Sequence, residues 1–372
     1  MSSGHRLEID AESPERISAP RGAQPHPASR LTASTRHRVV RRLRAPALAL
    51  AFVLFVGVGV FGVARDITGY ALYRGFTPIR IPSWIEPRAT LKRVWVRSTA
   101  VGGRIQPVVV GLPPGYARNP LRRYPVLYLL HGYPEFPGAF LSVGQVVARE
   151  DILVYRHLMR RLIMVIPYGT TGFFTDKEWA NGIRPGNDWE TFVARDVVNA
   201  IDRGFRTIPT GAGRAIGGLS SGAYGALNIA LHHPGEFRVV ESWSGYTHAP
   251  VMPSIFGTDP ARAAYNSPAL YLPEVATALR AARTFVWFYI GARDGGLPRN
   301  REFASELAAY GIRYEFFTVL ARHDWAAWRP NVSSALIAAS SHMLPPITPT
   351  SAPGPLPQVK LPRSTPGQPK HA

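Results

Sequence analysis

The chain has 372 residues, of which 46% are hydrophobic, and this length suits one large folded domain or two small ones. It contains no cysteine, which excludes disulfides, cysteine-ligated zinc or iron–sulfur sites and a thiol nucleophile. Its net charge of +19 comes mostly from scattered arginines, with no Lys/Arg block interleaved with aromatic residues in the folded part, so the sequence predicts no nucleic-acid binding.

The N-terminal part divides into a polar tail and an apolar run. Residues 1–45 are rich in Pro, Ser and Arg and lack hydrophobic periodicity, which is typical of a disordered tail. The tail ends in RHRVVRRLR, and residues 47–64 then carry no charged or strongly polar side chain. A helix of that length just spans the hydrocarbon core, and the basic flank would hold the N-terminus in the cytoplasm. We predict an uncleaved transmembrane signal anchor at 46–64; the alternatives are a buried core helix and a cleaved signal peptide.

Strand and helix signals alternate between residues 89 and 343. RVWVRS and IQPVVVGLPPGY predict a hairpin around Gly102-Gly103, and YPVLYLLHG and RLIMVIPYG are apolar runs typical of strands buried on both faces. Residues 188–205 carry an apolar stripe at helical spacing. This alternation predicts a mostly parallel central sheet with helices on both faces and a ligand site at the carboxyl ends of the strands.

The segment AIGGLSSGAYGALNIAL, at 215–231, holds a candidate nucleophile. Its residues 218–222 match G-x-S-x-G with Ser220 at the centre. A short apolar strand precedes the match and an amphipathic helix follows it, which is the setting of a nucleophile elbow. We therefore predict that Ser220 is the nucleophile. If the pattern were centred on Ser221, Leu219 and Ala223 would stand at the two glycine positions, so Ser221 does not fit it. Ser221 is expected to contribute only its backbone N–H to an oxyanion hole.

Candidates for the base and the acid follow later strands. A serine nucleophile needs a base, and the base needs an orienting acid. Asp294 follows the apolar run TFVWFYIGARD, and His323 follows the next run, RYEFFTVLARHDW, in the order that this architecture uses. We predict Asp294 as the acid and His323 as the base. Glu302 in the following helix is the rival acid, and capping of the turn at Gly295-Gly296 is the alternative role of Asp294.

Two loops are expected to complete the site. His131, in LLHGYP, is expected to support a loop, while Gly132 and Tyr133 are candidates for a second oxyanion N–H, for which we select Tyr133. The aromatic loop at 168–187 is expected to cover the site. Three of its side chains either line an acyl channel or pack the loop: Phe173, Phe174 and Trp179.

Six segments together carry a family resemblance. They are LPPGY (112–116), YLLHG (128–132), WETF (189–192), IGGLSSGAYGALNIALHHPGEF (216–237), NSP (266–268) and RHDWAAW (322–328). With these segments the chain resembles the esterase family of α/β hydrolases, which includes esterase D-like enzymes, enterochelin esterase-type domains and the mycolyltransferases of the antigen 85 complex. The resemblance implies the α/β-hydrolase fold and acyl transfer through a covalent acyl-serine, with water or a sugar hydroxyl as acceptor.

One loop departs from the mycolyltransferase branch, although WETF and HPGEF are similar to it. In that branch the loop after the third strand resembles Asp-Gly-Leu-Arg, whose charged groups help to hold trehalose, and here residues 131–134 read His-Gly-Tyr-Pro. That branch also uses a displaced acid, which corresponds to Glu302. We therefore expect a membrane-anchored extracytoplasmic serine esterase acting on an acyl ester or lipid. A mycolyltransferase-type acyltransferase and a non-catalytic hydrolase-like envelope scaffold are the alternatives.

No cofactor and no metal are expected. The predicted boundaries are a basic cytoplasmic tail at 1–45, the transmembrane anchor at 46–64, a linker at 65–88, the α/β-hydrolase esterase domain at 89–343 and a Pro-rich disordered tail at 344–372.

Overall fold

The computed structural model describes residues 73–169 and 176–349. The strands are β1 (Thr90–Arg97), β2 (Ile105–Leu112), β3 (Val126–Leu130), β4 (Ile163–Pro167), β5 (Arg214–Leu219), β6 (Val239–Trp243), β7 (Phe285–Gly291) and β8 (Arg313–Val319). The α-helices are α1 (Pro137–Ser142), α2 (Val146–Tyr155), α3 (Trp189–Thr191), α4 (Val198–Gly204), α5 (Ser221–His232), α6 (Pro253–Phe256), α7 (Pro260–Tyr265), α8 (Pro268–Ala281), α9 (Leu297–Ala309) and α10 (Trp325–His342).

All eight strands belong to one sheet, in the order β1-β2-β4-β3-β5-β6-β7-β8. The predicted hairpin forms, because β1 pairs antiparallel with β2, and β2 also runs antiparallel to β4. From β4 to β8 every pairing is parallel. The mostly parallel sheet predicted from the sequence is therefore confirmed, and the carboxyl ends of β3 to β8 meet at one edge.

The sheet is covered on both faces. Neighbouring residues of β3 alternate between two apolar clusters: Tyr128 and Leu130 belong to one, and Leu127 and Leu129 to the other. Every residue of β3 is buried, as are all residues of β4, β5, β6 and β7. Continuous apolar runs form such strands because side chains on both sides of the pleat are removed from water.

The helix predicted over 188–205 is not a uniform α-helix. Between α3 and α4 the chain forms a π-helical stretch at Phe192–Val197. Its apolar side chains Phe192, Val193 and Val197 are still buried, so the predicted stripe faces the core. The spacing of apolar residues predicts which face of a helix is buried, but not whether its backbone hydrogen bonds join residues four or five positions apart. A short π-helical stretch inside an α-helix therefore leaves the apolar pattern recognisable.

The predicted anchor at 46–64 lies outside the described residues. Within 73–169 and 176–349, no helix is both long and apolar enough to cross a bilayer. The described end of the predicted linker packs on the domain: Ile85 is buried, and the Ile79 backbone N–H donates a hydrogen bond of 2.8 Å to Gln145 Oε1.

A carboxyl group lies within the core of the sheet. Glu241 on β6 is fully buried, and its Oε2 accepts a hydrogen bond of 3.2 Å from the Trp243 indole N–H. Burial raises the pKa of Glu241 to about 8, although the Trp243 hydrogen bond acts in the opposite direction. Folded protein therefore keeps a proton on Glu241 at pH values where the unfolded chain, with a pKa near 4.5, has released it.

This raised pKa predicts a pH-dependent stability. The contribution of Glu241 is fully present below pH 4.5 and is lost as the pH rises through 8. Glu241→Gln keeps an oxygen acceptor for Trp243 and removes the titration, so its Tm should fall between pH 5 and pH 8.5 by roughly 5 °C less than that of the wild type. Thermal unfolding followed by circular dichroism measures this difference. Glu315→Gln, on the exposed side of β8, serves as the control and should follow the wild type. An identical pH slope for all three proteins would contradict the assignment.

Candidate active site

Ser220 stands at the sharp turn between β5 and α5. Its backbone angles are φ 54° and ψ −122°, in the left-handed half of the map where few non-glycine residues lie. The turn is possible because its neighbours are glycines: a Cβ would lie 2.3 Å from the Leu130 carbonyl oxygen at Gly218, and 2.0 Å from it at Gly222. This strained turn presents the Ser220 side chain at the carboxyl edge of the sheet, as the G-x-S-x-G pattern predicts.

His323 reaches Ser220 from the loop after β8. Its Nε2 lies 2.8 Å from Ser220 Oγ, which is hydrogen-bond distance. The next residue, Asp324, caps α10 by accepting hydrogen bonds from the backbone N–H groups of Ala326 and Ala327. This cap fixes where the loop ends and the helix begins, and it therefore helps to hold His323 in place. The His323 side chain is 40% exposed, so the imidazole reaches solvent at the opening of the candidate site, which we call the mouth.

Asp294 makes the second contact of the imidazole. His323 Nδ1 lies 2.6 Å from Asp294 Oδ2, while Asp294 Oδ1 accepts a 3.0 Å hydrogen bond from the Gly296 N–H. The turn-capping role and the pairing with His323 thus occur together, one on each carboxylate oxygen. Burial acts to raise the pKa of Asp294, but the hydrogen bonds from His323 and Gly296 outweigh it, and the pKa lies below its usual range. The carboxylate is therefore ionised at neutral pH.

Glu302, the rival acid, lies elsewhere. It is exposed on α9, and its charge acts on His248 and Glu306. Within the described residues, the carboxylate that pairs with His323 is that of Asp294.

Ser221 and Tyr133 lie together beside Ser220. Ser221 is the first residue of α5, so its N–H has no acceptor within the helix. The backbone N–H of Tyr133, from the loop after β3, donates a 3.0 Å hydrogen bond to Ser221 Oγ. The structure therefore brings the two residues selected for the oxyanion hole together. It also shows a role of the Ser221 hydroxyl that sequence reasoning missed: this oxygen ties the loop after β3 to the nucleophile helix.

His131 lies beneath the same loop. It is buried, with Nδ1 3.0 Å from the Gly132 carbonyl oxygen and Nε2 2.7 Å from the Tyr168 carbonyl oxygen. Burial, aided by the positive charge of Lys177, lowers the pKa of His131 to about 3, so the ring is neutral. These contacts are those of a side chain that holds loops together.

The aromatic loop at 168–187 is only partly described. Phe173 and Phe174 lie outside the described residues. Trp179 is buried, donates its indole N–H to the His131 carbonyl oxygen at 2.9 Å, and packs edge-on against Trp189. Of the two roles expected for Trp179, packing of the loop fits its position.

Comparison with known proteins gives a consistent result. The family model described as "Putative esterase" matches residues 98–339. An endo-1,4-β-xylanase/feruloyl esterase of Xylanibacter ruminicola is 31% identical over 159 residues, which are 42% of this chain and 21% of that protein. An esterase of Mycobacterium tuberculosis strain H37Rv is 33% identical over 158 residues, 41% of this chain and 32% of its own length. The matches thus span a fifth to a third of these curated relatives.

Solved structures support the same fold. A ferulic acid esterase superposes with a TM-score of 0.61 and 26% identity, covering 69% of this chain and 99% of that one. An S-formylglutathione hydrolase from Agrobacterium tumefaciens gives 0.58 with 15% identity, covering 68% and 96%. MPT51 of Mycobacterium tuberculosis gives 0.52 with 18% identity, covering 68% and 99%. The last two likenesses concern the fold alone. The described domain therefore has the α/β-hydrolase fold, as expected from the sequence.

Proposed function

We propose that this chain, which belongs to the putative esterase family, is a serine esterase. We further propose, from the apolar run at 46–64 and its basic flank, that it is membrane-anchored with its esterase domain outside the cytoplasm. One observation carries the proposal. Ser220 Oγ, the His323 imidazole and the Asp294 carboxylate form a continuous hydrogen-bonded chain, with contacts of 2.8 and 2.6 Å, at the carboxyl edge of the sheet. A serine, a base and an orienting acid in this order are the groups that nucleophilic acyl transfer requires.

Acylation is the first half of the reaction. Ser220 Oγ attacks the carbonyl carbon of the ester while its proton passes to His323 Nε2. The Asp294 carboxylate holds the imidazole with Nδ1–H directed at it, so that Nε2 is free to accept the proton. We assign stabilisation of the resulting oxyanion to the backbone N–H groups of Ser221 and Tyr133, the latter shared between the oxyanion and its present acceptor, Ser221 Oγ. When the C–O bond of the ester breaks, His323 returns the proton to the departing alkoxide, and the acyl group remains on Ser220.

Deacylation repeats these steps with water. His323 Nε2 takes a proton from water as the water oxygen attacks the acyl carbon. The second oxyanion uses the same two N–H groups, and its collapse breaks the bond between the acyl carbon and Ser220 Oγ. His323 then returns the proton to Ser220, and the carboxylic acid leaves. No cofactor and no metal take part in this scheme.

Acyl transfer to a sugar hydroxyl would use the same acyl-serine. The His-Gly-Tyr-Pro loop at 131–134 lacks the charged pair that the corresponding loop of the mycolyltransferases offers to trehalose. This difference favours water as the acceptor. A non-catalytic scaffold would not need three groups within hydrogen-bond distance, so the geometry argues against that alternative.

Hydrolysis of p-nitrophenyl acetate and p-nitrophenyl butyrate by the full chain tests the proposed activity. We expect release of p-nitrophenolate that depends on the Ser220 hydroxyl. Feruloyl esters are a second useful series, because two of the similar proteins are named for that activity. Absence of turnover with every ester in both series would contradict the proposal.

The anchor makes a separate prediction about topology. Alkaline phosphatase fused after residue 75 should be active outside the cytoplasm, whereas a fusion placed before Arg36 should be inactive. The basic residues at 36–44 are expected to hold their end of the span inside. The reverse pattern of reporter activity would overturn the proposed orientation.

A further inference from the structure

The rim of the active-site mouth carries exposed apolar side chains. We use this name for the exposed side chains Tyr133 and Phe136 after β3, Val251 after β6 and Leu320 after β8. Val251 is 96% exposed and Leu320 is 86% exposed, the two highest values among the large apolar side chains of the described residues. Leu320 is only three residues before His323, and the Tyr133 N–H contacts Ser221. Leu320 and Tyr133 therefore lie beside the groups assigned to catalysis, and Val251 follows the carboxyl end of β6 at the same edge of the sheet.

The shape of the rim indicates what covers it. A stable protein partner needs about 1,200 Å² or more of buried surface built around packed pockets. Here the most exposed apolar groups are single side chains on separate loops. A lipid interface accepts such side chains one at a time, because each enters the boundary between headgroups and acyl chains without a matching pocket.

The N-terminal end of the described chain meets the same rim. Arg74 forms a 2.9 Å ion pair with Glu135, the residue that precedes Phe136, and Glu135 also accepts a 2.8 Å hydrogen bond from the Trp325 indole. Arg329, near the start of α10, packs over the Phe76 ring and donates to the Thr77 carbonyl oxygen. The candidate membrane anchor ends ten residues before Arg74 in the sequence. The described N-terminal segment thus packs beside the mouth of the candidate site.

We propose that the rim docks on the surface of the lipid bilayer. Val251 and Leu320 are then inserted at the interface, and the mouth beside Ser220 and His323 faces the membrane. Resting on the proposed esterase activity and anchor, this inference names a lipid-borne acyl ester as the substrate class. Such an ester would pass from the bilayer to Ser220 without first dissolving in water. In this arrangement the bilayer covers the apolar side chains that are exposed on the domain surface.

The absence of cysteine makes a direct test possible. Val251→Cys and Leu320→Cys are labelled with an environment-sensitive fluorophore in the full chain and incorporated into phosphatidylcholine–phosphatidylglycerol vesicles. The matched controls are Leu121→Cys and Leu158→Cys, which are 51% and 52% exposed and precede β3 and β4 at the opposite edge of the sheet. Nitroxide-bearing lipids then report how deep each probe lies.

Both rim probes should shift their emission to the blue and lie about 5–10 Å below the headgroup level, whereas both controls should stay in water. Rim probes that remain in water, or controls quenched as strongly as the rim, would overturn the docking.

Two further measurements test the anchor and the esterase activity separately from the docking. Flotation with the vesicles reports the anchor, and failure to float overturns the docking as well. Hydrolysis of soluble p-nitrophenyl butyrate by the unlabelled wild-type chain in the same vesicles reports the esterase chemistry: absence of turnover there, with the rim probes inserted in the labelled variants, would refute the activity but not the docking.

Discussion

Ser220→Ala is expected to lower kcat for ester hydrolysis by a factor on the order of 10⁶, the scale seen when a triad nucleophile is removed. The reason is chemical, because the variant has no oxygen at the position 2.8 Å from His323 Nε2 and can form no acyl-enzyme. Binding of the ester should change little, so the loss should appear in kcat and not in KM. Steady-state kinetics with p-nitrophenyl butyrate measure it, and circular dichroism verifies that the variant is folded.

The neighbouring serine offers a matched control. Ser221→Ala keeps the backbone N–H and removes the oxygen that accepts the Tyr133 N–H at 3.0 Å. The loop after β3 loses one tie, but the two oxyanion donors remain, so the expected loss in kcat is about tenfold or less, well below that for a deleted donor. Equal losses in the two variants would contradict the choice of Ser220 as nucleophile.

Asp294→Asn should have the second largest effect, a loss of up to ~10⁴ in kcat with the fold intact. The amide can donate where the carboxylate accepts, so it stabilises the wrong tautomer of His323 and no longer balances the imidazolium charge. The 2.6 Å contact and the lowered pKa of Asp294 both show how closely this carboxylate is coupled to the ring.

Glu302→Gln is the control for the acid. Because Glu302 is exposed on α9 and its charge acts on His248 and Glu306, its loss should cost less than tenfold. If Glu302→Gln were the damaging variant and Asp294→Asn the mild one, with both folded, the acid would have to be reassigned to Glu302. That outcome would also favour acyl transfer over hydrolysis, because the mycolyltransferase branch, which uses a displaced acid, consists of transferases.

The backbone positions of the candidate site could be predicted from the sequence. Ser220, Asp294 and His323 each follow a continuous apolar run, and parallel strands bring their carboxyl ends to one edge whatever the details of packing. The G-x-S-x-G glycines are also local signals, because they mark where the Leu130 carbonyl approaches too closely for a Cβ. Order along the chain therefore predicted that Ser220 and His323 meet, whereas the choice between Asp294 and Glu302 required the structure.

Contacts between distant loops could not be predicted in the same way. Tyr133 and Ser221 are 88 positions apart, and no local pattern shows that a backbone N–H of one meets the hydroxyl of the other. The burial of Trp179 and Ile85 is of the same kind, since an aromatic loop residue and a linker residue look exposed until the surface that covers them is known. Glu241 also gave no signal, because a carboxyl inside an apolar strand departs from the pattern by which strands are recognised.

The central claim is that an acyl group passes through Ser220, and mass spectrometry of the trapped intermediate tests it most directly. The full chain is mixed with p-nitrophenyl butyrate, quenched in acid during turnover and digested with trypsin, which releases a peptide spanning 215–238 between Arg214 and Arg238. We expect this peptide to carry one butyryl group, located on Ser220 and not on Ser221 by fragmentation, and to lose it in Ser220→Ala. Turnover with no adduct on the peptide, or with the adduct on Ser221, would contradict the account.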